Sequence, residues 1–327
     1  MISANGCYIL RRHSARRPEY CPQVESFEVV QRIAIWSYAL PFAFKTVSGT
    51  DHSPKPETFM RERHLDPDQR TSLLALIEDL ADQARQATLP WFRQSTLEAG
   101  NKSVDGFDPV TQADRATESV LRAHLQKMRP DDGILGEEMG EHAGRSGLTW
   151  IIDPVDGTRG FLAGTPCWGV LIALADADGP FLGVIDQPYI SERFLGGLGQ
   201  AWVEGPCGRQ PLRTRASDDL QSAILFTTFP EIGSPSEHAA FSRVAQKVRL
   251  TRYGMDCYAY ALLAAGHVDL VIEAGLHAYD IAAPIAVISA AGGIVTNWHG
   301  GPVDDSGQVL AAANPVIHAQ ALALLQG

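Results

Sequence analysis

Two aspartates that lie three positions apart have the residue type and spacing that could bind a cation. They are Asp153 and Asp156, in the segment Trp-Ile-Ile-Asp-Pro-Val-Asp-Gly-Thr at positions 150–158. The apolar residues before Asp153 predict a short buried strand over 149–152, and Pro154 favours a tight turn that would bring Asp156 back beside Asp153. Two carboxylates held together repel each other unless a cation lies between them, and their hard oxygen atoms suit Mg²⁺.

Further acidic segments favour a metal site, although an Asp-Pro-x-Asp sequence by itself is more often only a turn. Glu137 and Glu138 follow the apolar pair at 134–135, so a second strand end would present carboxylates. Asp280 stands at the predicted start of a buried helix. There it would cap the helix, and a capping carboxylate can also bind a metal.

Four motifs in this order resemble those of the inositol-monophosphatase-like family of Mg²⁺-dependent, lithium-sensitive phosphatases. They are Asp-Pro-Val-Thr-Gln-Ala-Asp at 108–114, Gly-Glu-Glu at 136–138, the segment at 150–158, and Tyr-Asp-Ile-Ala-Ala at 279–283. The resemblance extends over essentially the whole chain from Met60. It implies an α/β (α+β) fold, the five-layered αβαβα sandwich of the inositol monophosphatase and fructose-bisphosphatase type.

Within that family the sequence is most similar to the histidinol-phosphate phosphatase branch. The supporting segments are Gly-Thr-Arg-Gly-Phe-Leu-Ala-Gly-Thr-Pro at 157–166, Gly-Val-Ile-Asp-Gln-Pro at 183–188, Leu-Thr-Arg-Tyr-Gly-Met-Asp-Cys-Tyr-Ala-Tyr at 250–260, and Glu-Ala-Gly-Leu at 273–276. The resemblance implies hydrolysis of L-histidinol phosphate to L-histidinol and phosphate, in histidine biosynthesis. An inositol-1-phosphate or nucleotide-3′-phosphate phosphatase on the same scaffold remains an alternative, as does a non-catalytic relative used for binding.

The resemblance assigns metal binding to four carboxylates and one backbone carbonyl, which would bind two or three Mg²⁺. These ligands are Glu137, Asp153, the carbonyl group of Val155, Asp156 and Asp280. Asp153 would be the bridging ligand. Glu137 and Thr158, with Asp114 behind Thr158, would position or deprotonate the attacking water. Phosphate ester hydrolysis needs an activated water, neutralised phosphoryl oxygens and a stabilised leaving group, and paired metal ions supply all three.

The resemblance also divides the substrate-binding residues into two groups. The phosphate would contact Asp156 and rest on the backbone N–H groups of Gly157 and Thr158, because a segment that starts after a turn offers such groups to an anion. The residues that would surround the organic part of the substrate are Arg159, Asp256 and Glu273. Histidinol phosphate bears an ammonium and an imidazole, so two carboxylates there would favour it over a neutral polyol phosphate.

Three other residues have a functional and a structural interpretation. Lys102 precedes the motif at 108–114 and could help to bind phosphate, but a solvated lysine is at least as consistent with its position. Glu138 is either a member of the site or a solvated neighbour of Glu137. His277 is more often a loop histidine than a metal ligand.

The composition is that of a folded, acidic protein. The chain has 327 residues, of which 45% are hydrophobic and 20% charged, so it can bury a large core. Its net charge of −11 disfavours general binding of nucleic acid or anionic membranes. The 5 cysteines form no Cys-x-x-Cys sequence, which argues against a zinc site or a disulfide framework, and we expect a cytoplasmic protein. No apolar run reaches the roughly 18 residues of a membrane span, and the resemblance suggests a homodimer.

Alternating helical and strand patterns would hold the candidate residues in place. Helices are predicted at 73–84, after Asp114, at 237–248, 255–265 and 280–291, and from Asn314. Strands are predicted at 149–152, 168–175, 181–185, 223–228, 268–273, 294–298 and 308–312. This alternation is typical of layered helices and sheets.

The first part of the chain, residues 1–59, differs from the rest. It contains several prolines and no sustained helical or strand period. We interpret it as a weakly structured N-terminal extension that precedes a phosphatase domain at 60–327. Within this domain, residues 60–205 would form the metal-binding α/β half and residues 206–327 the C-terminal α/β half. A targeting segment, a start-site artefact and an ordered arm remain alternatives for the extension.

A protein truncated to begin at Met60 is therefore expected to stay soluble and fully active. The reason is that the removed residues lack the periodicity of a core element. Thermal unfolding and phosphatase assays of the truncated and full-length chains would check this. Loss of folding on truncation would show that the extension is structural.

Overall fold

The computed structural model describes residues 65–95, 99–101 and 109–327. The predictions for the extension at 1–59, for a start at Met60 and for Lys102 lie outside these residues, and the division of the domain at residue 205 stays a prediction. Within the described part of the chain, no helix is long and apolar enough to cross a membrane.

The described residues form helices and strands, with five consecutive strands in the middle of the chain. The α-helices are α1 (Pro67–Thr88), α2 (Gln112–Met128), α3 (Thr158–Ala163), α4 (Pro235–Ala245), α5 (Cys257–Ala264), α6 (Ala278–Ala290) and α7 (Pro315–Gln326). The strands are β1 (Ala99–Asn101), β2 (Pro109–Thr111), β3 (Gly133–Gly136), β4 (Gly140–His142), β5 (Thr149–Asp156), β6 (Gly169–Asp176), β7 (Gly179–Gln187), β8 (Glu192–Gly197), β9 (Gln200–Gly205), β10 (Gly208–Pro211), β11 (Ile224–Thr227), β12 (Leu250–Tyr253), β13 (Leu270–Glu273), β14 (Ile294–Thr296) and β15 (Val309–Ala312).

The strands form two large sheets and one small ribbon. The eight-stranded sheet has the order β10-β9-β8-β7-β6-β5-β3-β4, and the five-stranded sheet has the order β12-β11-β13-β15-β14. Strands β1 and β2 pair with each other. Most neighbours in the eight-stranded sheet are antiparallel, but β3 and β5 are parallel. In the five-stranded sheet, β11 is parallel to both of its neighbours, β12 and β13.

The helices cover both sheets and produce the predicted five layers. Helices α1 and α2 pack on one face of the eight-stranded sheet. Helices α5 and α6 lie between the two sheets and share a core with both. Helices α4 and α7 cover the far face of the five-stranded sheet. The order is αβαβα, so the fold class predicted from the sequence is confirmed.

Strand β6 shows why the eight-stranded sheet is buried on both faces. Val170, Ile172 and Leu174 pack toward α1 and α2, whereas Leu171 and Ala173 pack toward α5 and α6. Alternate side chains of a strand point to opposite faces. An almost unbroken apolar run therefore supplies two separate cores, and burying each large side chain stabilises the fold by about 1.5–3 kcal/mol.

A buried ion-pair network fixes α1 to the eight-stranded sheet. Asp186 in β7 is fully buried and accepts hydrogen bonds from Arg85 of α1 at 2.6 Å and from Arg193 of β8 at 2.6 Å. Arg193 also donates to Asp82 of α1 at 2.7 Å. Because both oxygens of Asp186 have cationic partners, its buried charge is compensated, and removal of one partner would leave it uncompensated.

The strands β8, β9, β10 and β12 were not predicted from the sequence. Three of them continue the eight-stranded sheet away from the acidic motifs, and their segments are short and rich in glycine or polar residues. Strands β8, β9 and β10 pair with antiparallel neighbours, whereas β12 pairs in parallel with β11 at the edge of the five-stranded sheet. Sequence periodicity over four to six residues is too weak a signal to identify such strands.

Candidate active site

The carboxyl ends of β3 and β5 place two of the predicted residues side by side. The strands are parallel, with Gly136 opposite Ile152. Glu137 and Asp153 therefore follow at the same edge of the sheet, and the Glu137 backbone N–H donates to the Ile152 carbonyl at 3.2 Å. The half-buried Glu137 and the buried Asp153 are brought together by strand register alone.

An irregularity in β5 brings Asp156 to the same face as Asp153. Against β6, Asp153 pairs with Leu171 but Asp156 pairs with Gly169, so β5 contains one extra residue. In a regular strand, residues three apart point to opposite faces, and the extra residue of a β-bulge cancels this alternation. The tight turn predicted around Pro154 is thus wrong in form, since the chain continues as a bulged strand to Asp156.

Helix α2 contributes Asp114 through its first turn. Thr111 is the N-cap residue, and Asp114 accepts hydrogen bonds from the Thr111 backbone N–H at 2.8 Å and hydroxyl at 2.5 Å, which completes a capping box. Burial raises the pKa of Asp114 to about 6, against the lowering effect of these hydrogen bonds, and the charge of Glu137 raises it further.

Helix α6 contributes Asp280, but not as the cap that the sequence predicts. The helix begins at Ala278 with His277 as its N-cap, and the Asp280 carboxylate accepts the His277 backbone N–H at 2.7 Å from the third helical position. His277 is exposed, and its structural role is that of the N-cap residue of this helix. Because the helix starts two residues earlier than predicted, Pro284 lies inside it and not in its first turn.

Two groups of three carboxylates result. In each group, oxygen atoms from all three residues lie within 4.8 Å of one another: Asp114 with Glu137 and Glu138, and Asp153 with Asp156 and Asp280. The groups adjoin, because Glu137 and Asp153 directly follow the paired residues Gly136 and Ile152.

Burial and mutual repulsion disfavour the charged form of these groups. Burial raises the pKa of Asp153 well above its ordinary value, and the charges of Glu137, Asp156 and Asp280 add to this. Burial also raises the pKa of Asp156 to about 7, with the charge of Asp280 as the next cause, despite a hydrogen bond from the Cys257 backbone N–H at 2.7 Å. A cation among these oxygens would remove the repulsion, so the donor set fits Mg²⁺.

The segment after β5 places Thr158 beside Asp114. The Thr158 hydroxyl donates to the Val155 carbonyl at 3.0 Å and lies 3.5 Å from Asp114 Oδ1. A threonine hydroxyl has a single proton, so it can donate to only one of these two acceptors at a time. The predicted pairing of Thr158 with Asp114 thus has the required proximity.

Gly157 packs so closely against its surroundings that no other residue fits. Its φ is +79°, and a Cβ atom there would lie 2.8 Å from the Cys167 carbonyl oxygen and 3.1 Å from the Asp256 side chain. Asp256 itself has a φ of 45°, which is unusual for a residue with a side chain. This strained position fixes the Asp256 carboxylate next to the first turn of α3.

The candidate leaving-group residues lie on the α5 and β13 side of the site. Burial raises the pKa of Asp256 to about 7, the charge of Asp156 adds to this, and Arg159 opposes it. Glu273 is buried at the end of β13 and accepts hydrogen bonds from the Thr228 N–H at 2.8 Å and hydroxyl at 2.9 Å. Burial raises the pKa of Glu273 to about 7 as well.

Arg159 is exposed at the rim of this region. Its guanidinium lies 5.0 Å from the ring centroid of Phe229, a cation–π distance. Its charge acts on Asp256, so the two residues are neighbours, and a role of Arg159 in substrate binding stays a prediction.

Some residues that hold the site together were not predicted. Buried Glu118 of α2 accepts the backbone N–H groups of Glu138 at 2.7 Å and Met139 at 3.1 Å, and it pairs with Arg122 at 2.7 Å. It thereby fixes the loop that contains Glu137. The available sequence signal was a Glu–Arg pair spaced four residues apart on a helix. Thr228, which donates two hydrogen bonds to Glu273, has no comparable signal in the sequence.

The shifted carboxylates predict an inverted dependence of stability on pH when divalent ions are removed. The folded protein holds protons on Asp114 (pKa about 6), Asp156 and Asp256 (both about 7) at pH values where the unfolded chain, with its ordinary value of 3.8, does not. The free energy of unfolding should therefore fall as the pH rises from about 4 to about 7.

Thermal unfolding in EDTA and in Mg²⁺ at about pH 5 and about pH 8 would test this dependence. The expected result is a lower Tm at the higher pH in EDTA, and a larger gain from Mg²⁺ at the higher pH, where the carboxylates are ionised. A higher Tm at the higher pH in EDTA would contradict the assigned cluster.

Comparison with known proteins identifies close similarity to one group of phosphatases. The sequence model described as "Inositol monophosphatase family" matches residues 69–327. The bifunctional phosphatase IMPL2, chloroplastic, of Arabidopsis thaliana is 39% identical over 258 residues, which cover 76% of this chain and 73% of that protein. The histidinol-phosphatase of Mycobacterium tuberculosis is 35% identical over 77% of this chain and 97% of its own length. An inositol monophosphatase structure from Zymomonas mobilis has a TM-score of 0.70 and 36% identity, covering 79% of this chain and 98% of that one.

Proposed function

The chain belongs to the inositol monophosphatase family, and on that premise we propose that it is a Mg²⁺-dependent histidinol-phosphatase. It would hydrolyse L-histidinol phosphate to L-histidinol and phosphate, in histidine biosynthesis. Membership of this family supports phosphatase activity in general. The choice of this substrate is supported by similarity to proteins named histidinol-phosphatase, at 32–35% identity.

The observation that most favours a cationic leaving group is the acidic pair Asp256 and Glu273. Both carboxyl groups are largely removed from water, and the pKa of each is about 7. An ammonium or imidazolium placed between them would favour their charged forms and gain two charge-assisted hydrogen bonds. A neutral polyol would bring no positive charge to either carboxyl group.

We propose the following roles for the site residues. Glu137, Asp153, Asp156, Asp280 and the Val155 carbonyl would hold two or three Mg²⁺. When bound, the ions would supply positive charge to the phosphoryl oxygens and to the leaving group, and would make water easier to deprotonate.

The remaining steps depend on protein groups. The backbone N–H groups of Gly157 and Thr158, at the first turn of α3, would bind the phosphate, since N–H groups there have no partner within the helix. Asp114 and Thr158 would orient the water, with Glu137 as a further acceptor for its proton. Asp114, with a pKa of about 6, is suited to accept a proton near neutral pH.

A second candidate is an inositol-1-phosphate phosphatase on the same scaffold. It is favoured by the similarity to the Zymomonas mobilis inositol monophosphatase, at 36% identity. A nucleotide-3′-phosphate phosphatase would use the same metal and phosphate residues. A non-catalytic relative is disfavoured, because the carboxylate groups, Thr158 and Gly157 are all present.

Phosphate release from a panel of esters would test the proposal. The panel comprises L-histidinol phosphate, myo-inositol 1-phosphate, a nucleoside 3′-phosphate and glycerol 2-phosphate, each with Mg²⁺ and with EDTA. We expect Mg²⁺-dependent release, fastest from L-histidinol phosphate. Release from every ester at equal rates in EDTA would refute the metal-dependent mechanism, and preference for inositol phosphate would refute the substrate.

We also propose that the enzyme is a homodimer in the cytoplasm. The dimer follows from the family resemblance, and light scattering of the purified protein would measure it. In the part of the chain that the structure describes, Cys167, Cys207 and Cys257 are free thiols, in keeping with a reducing compartment.

A further inference from the structure

An exposed phenylalanine stands at the rim of the candidate site. Phe229 is 45% exposed, although phenylalanine is among the residue types that are most often buried. It belongs to none of the hydrophobic clusters that the described residues form. Single exposed apolar side chains are common on protein surfaces, so only the position of this ring can indicate a role.

Parallel strands bring Phe229 to the same edge of the five-stranded sheet as the acidic pair. Strand β11 lies between β12 and β13 and is parallel to both. Thr228, directly after β11, donates its N–H at 2.8 Å and its hydroxyl at 2.9 Å to Glu273 at the end of β13. On the other side, the Gly254 N–H donates to the Thr228 carbonyl at 3.0 Å, and Asp256 follows two residues later. Phe229 therefore leaves the sheet between the strand ends that carry Asp256 and Glu273.

The ring of Phe229 also contacts the helix that would bind the phosphate. The guanidinium of Arg159, in the first turn of α3, lies over this ring at 5.0 Å from its centroid. The Asp256 side chain approaches the same turn, because a Cβ atom on Gly157 would lie 3.1 Å from it and one on Gly160 would lie 3.8 Å from its Oδ2. The ring, the Asp256 carboxylate and the start of α3 thus border one space.

A leaving group attached to a phosphate at the start of α3 would extend into this space. In L-histidinol phosphate it carries an ammonium and a planar imidazole. The acidic pair suits the ammonium, but carboxyl groups do not select for a ring. Imidazole is largely neutral above a pH of about 6.5, and a neutral planar ring gains from packing against an aromatic face. Arg159 covers one face of Phe229, and a phenyl ring has a second.

We propose that Phe229 is a stacking platform for a planar aromatic ring of the leaving group, which in L-histidinol phosphate is the imidazole. The identity of that ring rests on the proposed function. Recognition would then be divided, with Asp256 and Glu273 binding the ammonium and Phe229 binding the ring. The base of a nucleoside 3′-phosphate has the same planar chemistry, so the experiment includes adenosine 3′-phosphate.

The test is Phe229→Leu, which keeps an apolar side chain and removes the aromatic face. We expect kcat/KM for L-histidinol phosphate to fall about 3- to 10-fold, the range for an aromatic pair. For O-phosphoethanolamine, which has the ammonium without a ring, and for glycerol 2-phosphate, kcat/KM should stay within about 2-fold of wild type. The loss should appear in KM and not in kcat, because the ring is remote from the reacting atoms. The inhibition constant of L-histidinol should rise by the same factor, and Phe229→Tyr should restore both values.

Leu250→Ala is the matched control for loss of exposed apolar surface. Leu250 is also 45% exposed, and it lies on the neighbouring strand β12, but at the end of that strand opposite to Asp256. This variant should hydrolyse all four esters as wild type does. An effect of Leu250→Ala equal to that of Phe229→Leu would show that the loss is unrelated to the site.

A second control separates stacking on substrate from support of Arg159. If Phe229 only holds the guanidinium, Phe229→Leu has no further effect once Arg159→Gln has been made. The proposal predicts that the selective loss of about 3- to 10-fold persists in the Arg159→Gln background. Disappearance of the loss in that background would overturn it.

The remaining outcomes distinguish this inference from the proposed function. If wild type prefers L-histidinol phosphate and Phe229→Leu hydrolyses it equally well, or loses activity equally on all esters, the platform is refuted and the proposed function stands. If wild type prefers adenosine 3′-phosphate and Phe229→Leu weakens that preference, the platform stands with a base as its ring and the proposed function fails. If wild type hydrolyses neither ring-bearing ester, both fail.

Discussion

The variant Asp153→Asn is expected to fold normally and to lose at least about a thousandfold in kcat/KM. A metal site supplies several kcal/mol of transition-state stabilisation, and each 1.4 kcal/mol corresponds to about tenfold in rate. A neutral amide cannot bridge two cations as a carboxylate does. The hydrogen bond from the Val155 N–H to Asp153 Oδ1 at 3.0 Å can be kept by the asparagine oxygen, so the bulge in β5 should persist.

The stability of this variant provides an independent readout. In EDTA, the Tm of Asp153→Asn should exceed that of wild type at about pH 8, because the substitution removes a buried charge that Glu137, Asp156 and Asp280 repel. Calorimetric titration should show weaker Mg²⁺ binding. Normal Mg²⁺ binding with turnover within a few-fold of wild type would contradict the assignment of Asp153.

Asp132→Asn is the matched control for this substitution. Asp132 is also buried, but it precedes β3 at the opposite end of the strand from Glu137, and it pairs with Arg129 at 2.7 Å and accepts the Trp150 indole N–H at 3.0 Å. Loss of its charge should lower the Tm and leave Mg²⁺ binding intact. The two buried aspartates should therefore respond in opposite directions in EDTA.

The variants Asp256→Asn and Glu273→Gln are expected to weaken turnover of L-histidinol phosphate selectively. A charged hydrogen bond contributes roughly 1.5–3 kcal/mol, so kcat/KM should fall about 10- to 100-fold, with little change for glycerol 2-phosphate. In Glu273→Gln, the amide oxygen can still accept from Thr228, and the Thr227 hydroxyl can accept from the new NH₂ group. These contacts thus permit the Glu273→Gln substitution.

Measurement of kcat/KM for both substrates in each variant separates the possible roles. Equal losses on both substrates would assign Asp256 and Glu273 to metal binding or structure. No loss on either substrate would remove them from the site. The ligands of the phosphate cannot produce a selective loss, because both substrates share the phosphate.

The acidic motifs could be found in the sequence because their residue types and order are distinctive. Asp153, Asp156, Glu137 and Asp280 come from three separate segments, and the structure places Asp153, Asp156 and Asp280 in one group of carboxylates and Glu137 in the other. Their role as metal ligands stays a prediction. The long amphipathic helix α1 and the hairpin of β6 and β7 were also predicted, because long periodic runs and a turn rich in Asp and Gly are strong signals. These features depend on local sequence.

The features that sequence could not predict depend on contacts between distant segments. The bulge between Asp153 and Asp156 is defined only by the pairing with β6, so local residues suggested a turn instead. The role of Glu118 depends on α2 lying beside the loop after β3.

Internal competition between two substrates tests the proposed function most directly. L-Histidinol phosphate and myo-inositol 1-phosphate are mixed at equal concentrations with Mg²⁺, and the initial rates of the two alcohol products are measured in the same reaction. Their ratio equals the ratio of the two kcat/KM values. We predict a preference for L-histidinol phosphate of about tenfold or more, since only its cation can pair with Asp256 and Glu273. Equal rates, or faster release of inositol, would contradict the account.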